Sequence, residues 1–157
     1  MEMFAATPVQ RHLRLHVSTE TAVEFVDITE RIAALTADTH VHTGIVNIQS
    51  LHTTAAVVLN EHEPLLLEDF ARLLERTAPA ANRYAHDDFS ARTVNLVPDE
   101  RRNGHAHCRA LLLTPSVCLN IVDGQLQLGR WQRIFFVDLD GPQRRDLSVL
   151  ILGATGR

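Results

Sequence analysis

The chain contains no lysine: all 15 of its basic residues are arginine. That absence excludes a Schiff-base lysine and the phosphate-binding lysine of a P-loop, so any anion must be met by arginine, backbone amides or a metal. Cysteine is almost as scarce. Cys108 and Cys118 form no Cys-x-x-Cys pair, and a reduced intracellular protein, cytoplasmic by default, is the simplest account. No apolar run is long enough to serve as an export signal or a membrane span, because Arg11, His12 and Arg14 interrupt Leu13 and Leu15 near the start. A basic excess is missing too: the formal net charge of -4 gives no general attraction for nucleic acid. What remains is ordinary for a globular protein. With 157 residues, 45% hydrophobic and 22% charged, the chain fits one domain, 1–157, able to bury an adequate core.

Along that domain, Leu13, Leu15 and Val17 alternate with polar neighbours and predict a half-buried strand. Glu24 to Ile28 reads as a second strand after a Ser-Thr-Glu-Thr turn, the two pairing as a hairpin. From Thr29, a candidate N-cap, the spacing of Ile32, Ala33 and Leu35 turns helical and ends before Gly44. Ile45, Val46 and Ile48 begin a strand that leads into Ser50-Leu51-His52-Thr53-Thr54, and Ala55 to Leu59 continues as a buried apolar run. Pro64 opens a helix whose stripe of Leu65, Leu66, Phe70, Leu73 and Leu74 runs through Arg76. Residues 77–102 are polar and irregular, and so long a loop in a compact domain is usually functional or mobile. Ala106 to Leu113 predicts a short helix stopping before Pro115. Val117–Val122, Asp123-Gly124 and Leu126 with Leu128 give a two-residue hairpin. Trp131–Leu139 and Leu147–Leu152 supply two further strands around the Asp140-Gly141-Pro142 turn. Strands in runs with helices inserted between them point to an α+β fold with a mostly antiparallel sheet.

Histidine recurs among small, amide and carboxylate residues in three separated segments, at His52, at His86 and at His105 with His107. A catalytic zinc-type ion needs about three protein ligands and an open position, and His52, His86 and His107 can meet that need if the fold brings them together. Their spacing alone is non-specific. His105 and His107 diverge by about 200° on a helix, so only one of them would face such a site. The plainer alternative leaves His105 solvated and His52 satisfying neighbouring backbone groups.

Several motifs in order carry a family resemblance. His52-Thr53-Thr54-Ala55 with Asn60-Glu61, then Tyr84-x-His86-Asp87, then His107-x-Arg109-Ala110, then Ser116-x-x-Leu119-x-Ile121-x-x-Gly124 and Gly129-x-Trp131-Gln132-x-Ile134, span nearly the whole chain. In this the chain resembles the YjbQ family. The resemblance implies a curved, mostly antiparallel sheet or β-sandwich with two to three helices, assembled as a homotrimer. It also implies secondary thiamine-phosphate synthase activity: a pyrimidine-methyl diphosphate joined to a thiazole phosphate with release of diphosphate. His52, His86 and His107 would line a metal or anion pocket, with zinc or magnesium as the divalent ion. Two departures add cationic side chains near that presumed pocket, namely Arg130 where the family commonly has threonine and His105 where it often has an acidic or small residue.

Such a reaction asks the protein to neutralise the leaving diphosphate and exclude water. Arg109, at a helix start, can add a bidentate phosphate contact, and Glu61 can act as proton acceptor or metal partner. Asp138 matches an acidic position usual after the family tryptophan. Thr53, Thr54 and Ser116 offer hydroxyls to phosphate oxygens, Trp131 offers a face for a heteroaromatic ring, and Asn60 and Gln132 complete the matched motifs. Each has a plainer reading as a surface ion pair, a turn cap, a strand residue or core. The same three histidines would also serve a metal-dependent hydrolase of small phosphate esters, or a non-catalytic binder of phosphorylated metabolites.

Overall fold

The computed structural model describes residues 7–156; residues 1–6 and 157 of the expected single domain lie outside the described ones. The elements follow in the order β1 (Pro8–Ser18), β2 (Glu24–Asp27), α1 (Thr29–Ala37), β3 (Val41–Ser50), β4 (Ala55–Asn60) and α2 (Pro64–Thr77). A 3-10 turn (Ala85–Asp87) precedes α3 (Gly104–Ala110), β5 (Ser116–Val122), β6 (Gln125–Leu126), β7 (Arg133–Asp138) and β8 (Arg144–Thr155). The fold is α+β in a single domain, with every strand pair antiparallel. Five strands pair in the order β1-β8-β3-β5-β6 and three in the order β2-β7-β4. Among the described residues no helix is long and apolar enough to cross a membrane.

The two sheets pack face to face. Val17, Val46, Ile48, Ile121, Leu147, Val149 and Ile151 of the larger sheet meet Val57, Ile134 and Phe136 of the smaller, with Ile28 and Ile32 of the α1 segment closing one side. On the other face of the smaller sheet, Ala56, Phe135 and Val137 are covered by Leu74 of α2 and Ala106 of α3. With both faces covered, β7 reads as a continuous apolar run rather than an alternating one.

The expected hairpin of the first two strands does not form. β1 pairs with β8 from Pro8↔Ala154 to Ser18↔Arg144, while β2 pairs with β7 in the other sheet. Alternation identifies which side of a strand is buried but not its neighbour, and the residues between the two strands carry the chain from one sheet to the other. There the Glu24 carboxylate accepts the amides of Glu20 and Thr21, and Ala22 accepts from the Gly141 amide. Two other local expectations shift. Thr29 does not cap α1; Asp27 accepts its amide and its hydroxyl, and that hydroxyl accepts the Ile134 amide. The third helix starts at Gly104 and ends at Ala110, because Asp87 caps it early and tightened turns to Arg109 and Ala110 take up the amides of Leu112 and Leu113. The Asp123-Gly124 hairpin forms as expected, with both residues at positive φ, 51° and 76°, as a type I′ turn requires.

Asp27 also ties three elements together. Its carboxylate meets His62 at 3.0 Å and Arg133 at 2.8 Å. Burial pushes this carboxyl up, but the Thr29, Arg133 and His62 bonds outweigh burial and hold it at about 2, against an ordinary 3.8. A depressed carboxyl contributes stability that is complete above its unfolded pKa and lost as pH falls through its folded one. Asp27→Asn is therefore expected to cost roughly 2 kcal/mol at neutral pH in urea melts. The gap from wild type should close as pH falls from 3.8 to about 2.

Candidate functional site

The histidine clusters meet where the 3-10 turn crosses the start of α3. Asp87 accepts the amides of Asn103 at 3.0 Å and Gly104 at 2.9 Å, so one carboxylate clamps the turn to the helix N-terminus. Gly104 is needed for that approach, since a Cβ there would stand 2.5 Å from the Tyr84 Cβ. Closure of this joint brings the His86 and His107 rings to 4.6 Å between centroids. His105 points away, 6.3 Å from the Tyr84 ring, as helical spacing requires.

A polar cleft of about 520 Å³ opens beside the two rings, walled by Thr53, Thr54, Arg92, Glu100, Arg101 and Arg145. Asn103 and Asp140 also line it. Burial, then the neighbouring His86, lowers the His107 pKa, so its ring stays neutral at neutral pH. Arg92 donates to His86 Nε2 at 3.2 Å, since a guanidinium can only donate. Arg92 also pairs with Glu100 at 3.2 Å, and Arg101 with Asp140 at 3.3 Å. Asn103 donates to Asp140 at 2.9 Å while its own buried carbonyl oxygen has no partner.

His52 belongs to the adjoining apolar groove with Thr53, His107, Leu111 and Pro115. Its Nε2 accepts the Asp146 amide at 2.8 Å, and burial, then Arg145, lowers its pKa. Here the plainer reading of His52, a ring satisfying a backbone group, describes what is seen. The expected three-histidine ion centre finds no matching donor set. One nitrogen each of His52 and His86 is already engaged, and among the described residues no three His, Cys, Asp or Glu side chains are arranged to share an ion.

The other expected site residues divide along the β4–β7 ladder. Thr53, Thr54 and Asp138 lie at one end, where Ala55 pairs with Asp138. Asn60, Glu61, Trp131 and Gln132 lie at the other, where Asn60 pairs with Arg133. Six strand residues at about 3.3 Å each separate the ends by roughly 20 Å. Trp131 is 61% exposed beneath the Arg130 guanidinium, 4.6 Å from its ring centroid, and Gln132 folds back to accept the Gly129 amide. Ser116, paired with Gln49, stands at the His52 end. Asp138 lies fully buried under the cleft, bonded to Arg145 and Thr19. Arg109 turns inward as well. At 2% exposure it donates to the Ala78 carbonyl and pairs with Glu75, holding α2 to α3. Arg109→Leu should lower stability by about 2–3 kcal/mol in thermal melts, by stranding the buried Ala78 carbonyl.

The family model for UPF0047 proteins of the YjbQ-like type matches residues 13–154. The chain belongs to the YjbQ family. A UPF0047 protein of Methanothermobacter thermautotrophicus is 34% identical over 139 residues, 88% of this chain and 90% of the relative. One of Archaeoglobus fulgidus is 35% identical over 140 residues, 89% of this chain and all of the relative. The crystal structure of a YbjQ-like protein of unknown function from Sulfolobus solfataricus superposes with a TM-score of 0.81 at 34% identity. It covers 94% of this chain and 99% of that one. A hypothetical protein from Aeropyrum pernix gives 0.80 at 30% identity, covering 91% and 98%. Within this YjbQ fold, Arg92, Glu100, Arg101, Asn103, Asp140 and Arg145 are wall residues that motif reading passed over. Arg92 to Asn103 fall within or just after the long polar loop whose length marked it as functional or mobile, and that was their one sequence signal.

Proposed function

We propose that the cleft binds a small phosphorylated molecule and carries out a thiamine-phosphate-synthase-like transfer, joining a pyrimidine-methyl diphosphate to a thiazole phosphate. The observation that carries this reading is the pair of adjacent imidazoles at 4.6 Å, set among arginines and threonine hydroxyls in one cleft. In the transfer, the bond from the methylene carbon to the diphosphate oxygen breaks, the thiazole nitrogen bonds to that carbon, and diphosphate leaves. Negative charge grows on the departing oxygens. Arg101, 45% exposed, engages Asp140 and the Gly141 carbonyl through Nη2, which leaves Nη1 to meet them, and the His107 ring can donate one N–H. Thr53 can add a hydroxyl, whereas the Thr54 hydroxyl already accepts from Arg145. The orphaned Asn103 oxygen in the wall suits a ligand N–H.

The test is direct: purified protein mixed with the two precursors should form thiamine phosphate, followed by chromatography. No product above a protein-free blank ends the transferase reading. Non-catalytic binding is the second reading, favoured because Arg92 and Arg101 each already face a carboxylate, which leaves little net positive charge to drive turnover. Diphosphate binding by calorimetry without product would select it.

Homotrimer assembly goes with the proposal. Leu111, at 86% exposure, and Leu112 leave an apolar surface at the end of α3 beside the His52 groove, which a neighbouring copy can cover. Sedimentation at three times the monomer mass is expected, and a monomer at micromolar concentration removes the assembly.

A further inference from the structure

Arg92 stands at a coordinating position of the histidine pair. Its Nη1 lies 3.2 Å from His86 Nε2, on the lone pair that a metal ion would need at about 2.0–2.1 Å. The guanidinium is not a loose surface group. Its Nε donates to the Val94 carbonyl at 3.2 Å, Nη2 to the Asn95 carbonyl at 2.6 Å, and Nη1 also to Glu100 at 3.2 Å. Among the described residues no backbone–backbone hydrogen bond ties residues 93–102 to the rest of the chain. Arg92 is therefore both a staple of this loop, alongside the Arg101 bonds to Gly141 and Asp140, and the cation beside His86, with only 14% of its side chain exposed.

Two of the three carboxylates that line the cleft are spoken for as well, Asp99 being the third. Glu100 serves Arg92 and the Val97 amide, and Asp140 serves Arg101, Asn103 and Gln143. Moving either one to an ion would strand a guanidinium. An incoming divalent cation would meet a fixed guanidinium and an occupied nitrogen at His86, with Glu100 and Asp140 already committed. An anion meets instead the N–H groups of Arg92 and Arg101, each shared with a carboxylate that it would displace.

We propose that Arg92 is a selectivity-determining residue that keeps divalent metal off the His86–His107 pair and reserves the cleft for an anionic ligand. Its guanidinium supplies the positive charge that an ion would otherwise bring. Only the anionic half rests on the phosphoryl-ligand reading above.

Zinc titration by calorimetry tests the exclusion without any assay of turnover. Wild-type protein should show no stoichiometric zinc site dependent on His86. Arg92→Gln, which removes the charge, should bind zinc roughly 10–100-fold more tightly, the range over which groups contacting metal ligands alter affinity. Arg92→Lys breaks most of the loop bonds but keeps the charge, so it should stay as refractory as wild type. A wild-type zinc site lost in His86→Ala overturns the proposal, and so does an equal gain in both Arg92 variants, which would make loop order rather than charge responsible. Inorganic diphosphate, titrated in parallel, should bind wild type and weaken in Arg92→Gln. Failure of diphosphate to bind wild type, with zinc still excluded, counts against the phosphoryl-ligand reading and leaves the metal exclusion standing.

Discussion

His107→Ala is expected to lower thiamine-phosphate formation by roughly 10²–10³ in turnover, the cost of removing one preorganised donor from a developing oxyanion. The fold should survive. α3 is anchored by its buried neighbours Ala106 and Arg109 and by the Asp87 cap, none of which needs the imidazole. The effect should fall on kcat more than on KM, since an N–H that strengthens its bond as charge grows on the leaving oxygen acts mainly in the transition state. His107 is held neutral by burial and then by His86, so activity should persist to pH values below the ordinary histidine pKa of 6.5. The same lowering has a stability counterpart of the same sign as that of Asp27, set at higher pH. Above pH 6.5 both folded and unfolded rings are neutral; below it the unfolded chain takes the proton first, and stability falls as the solution is acidified. A His107→Ala enzyme that keeps full turnover would remove the ring from the chemistry, whatever becomes of the cleft.

Legibility in the sequence follows what local pattern can encode. The α2 helix, the Asp123-Gly124 turn and the apolar β7 run are written in residues whose meaning is local, and they form. Of the α2 stripe, however, Leu74 alone is buried while Leu65 and Leu73 stay exposed, and β7 runs only from Arg133 to Asp138. Strand partnership is not local. β1 and β8 lie more than a hundred residues apart in the chain, and nothing in their alternation distinguishes a remote partner from an adjacent one. The meeting of His86 with His107 was foreseeable only as a possibility, because it depends on an aspartate cap across a loop and on a glycine that admits Tyr84. Family motifs mark positions without roles. Glu61, Trp131 and Gln132 are at the opposite end of the sheet from the cleft, and Asp138 and Arg109 are buried in ion pairs. Conversely, Arg92 and Glu100 sit in sequence with no period and no motif, and only coordinates reveal that they frame the histidines.

Breaking the ion pair beneath the cleft should have the largest effect on stability. Asp138 is 0% exposed, and its oxygens take Arg145 at 2.7 and 3.0 Å, the Thr19 hydroxyl at 2.7 Å and the Asp140 amide at 3.1 Å. Arg145, 4% exposed, spends its remaining reach on Thr54 at 3.2 Å. Asp138→Ala leaves that guanidinium buried and unpaired, which costs about 3–5 kcal/mol, or on the order of 10 °C in melting temperature for a domain of this size. Burial alone would push the Asp138 carboxyl up; the Arg145 and Thr19 bonds reverse that and hold it below 3.8, so its contribution is present above that pH and lost in acid. Replacing both partners, Asp138→Leu with Arg145→Met, should recover most of the loss, because an apolar pair of similar volume leaves no charge stranded. The double variant also separates the two roles open to this carboxylate. If the pair held the ladder end rigid beneath Thr54 and did nothing else, the refolded double variant would keep its turnover; an inactive but stable double variant would return the Asp138–Arg145 pair, whose guanidinium lines the cleft, to its chemistry.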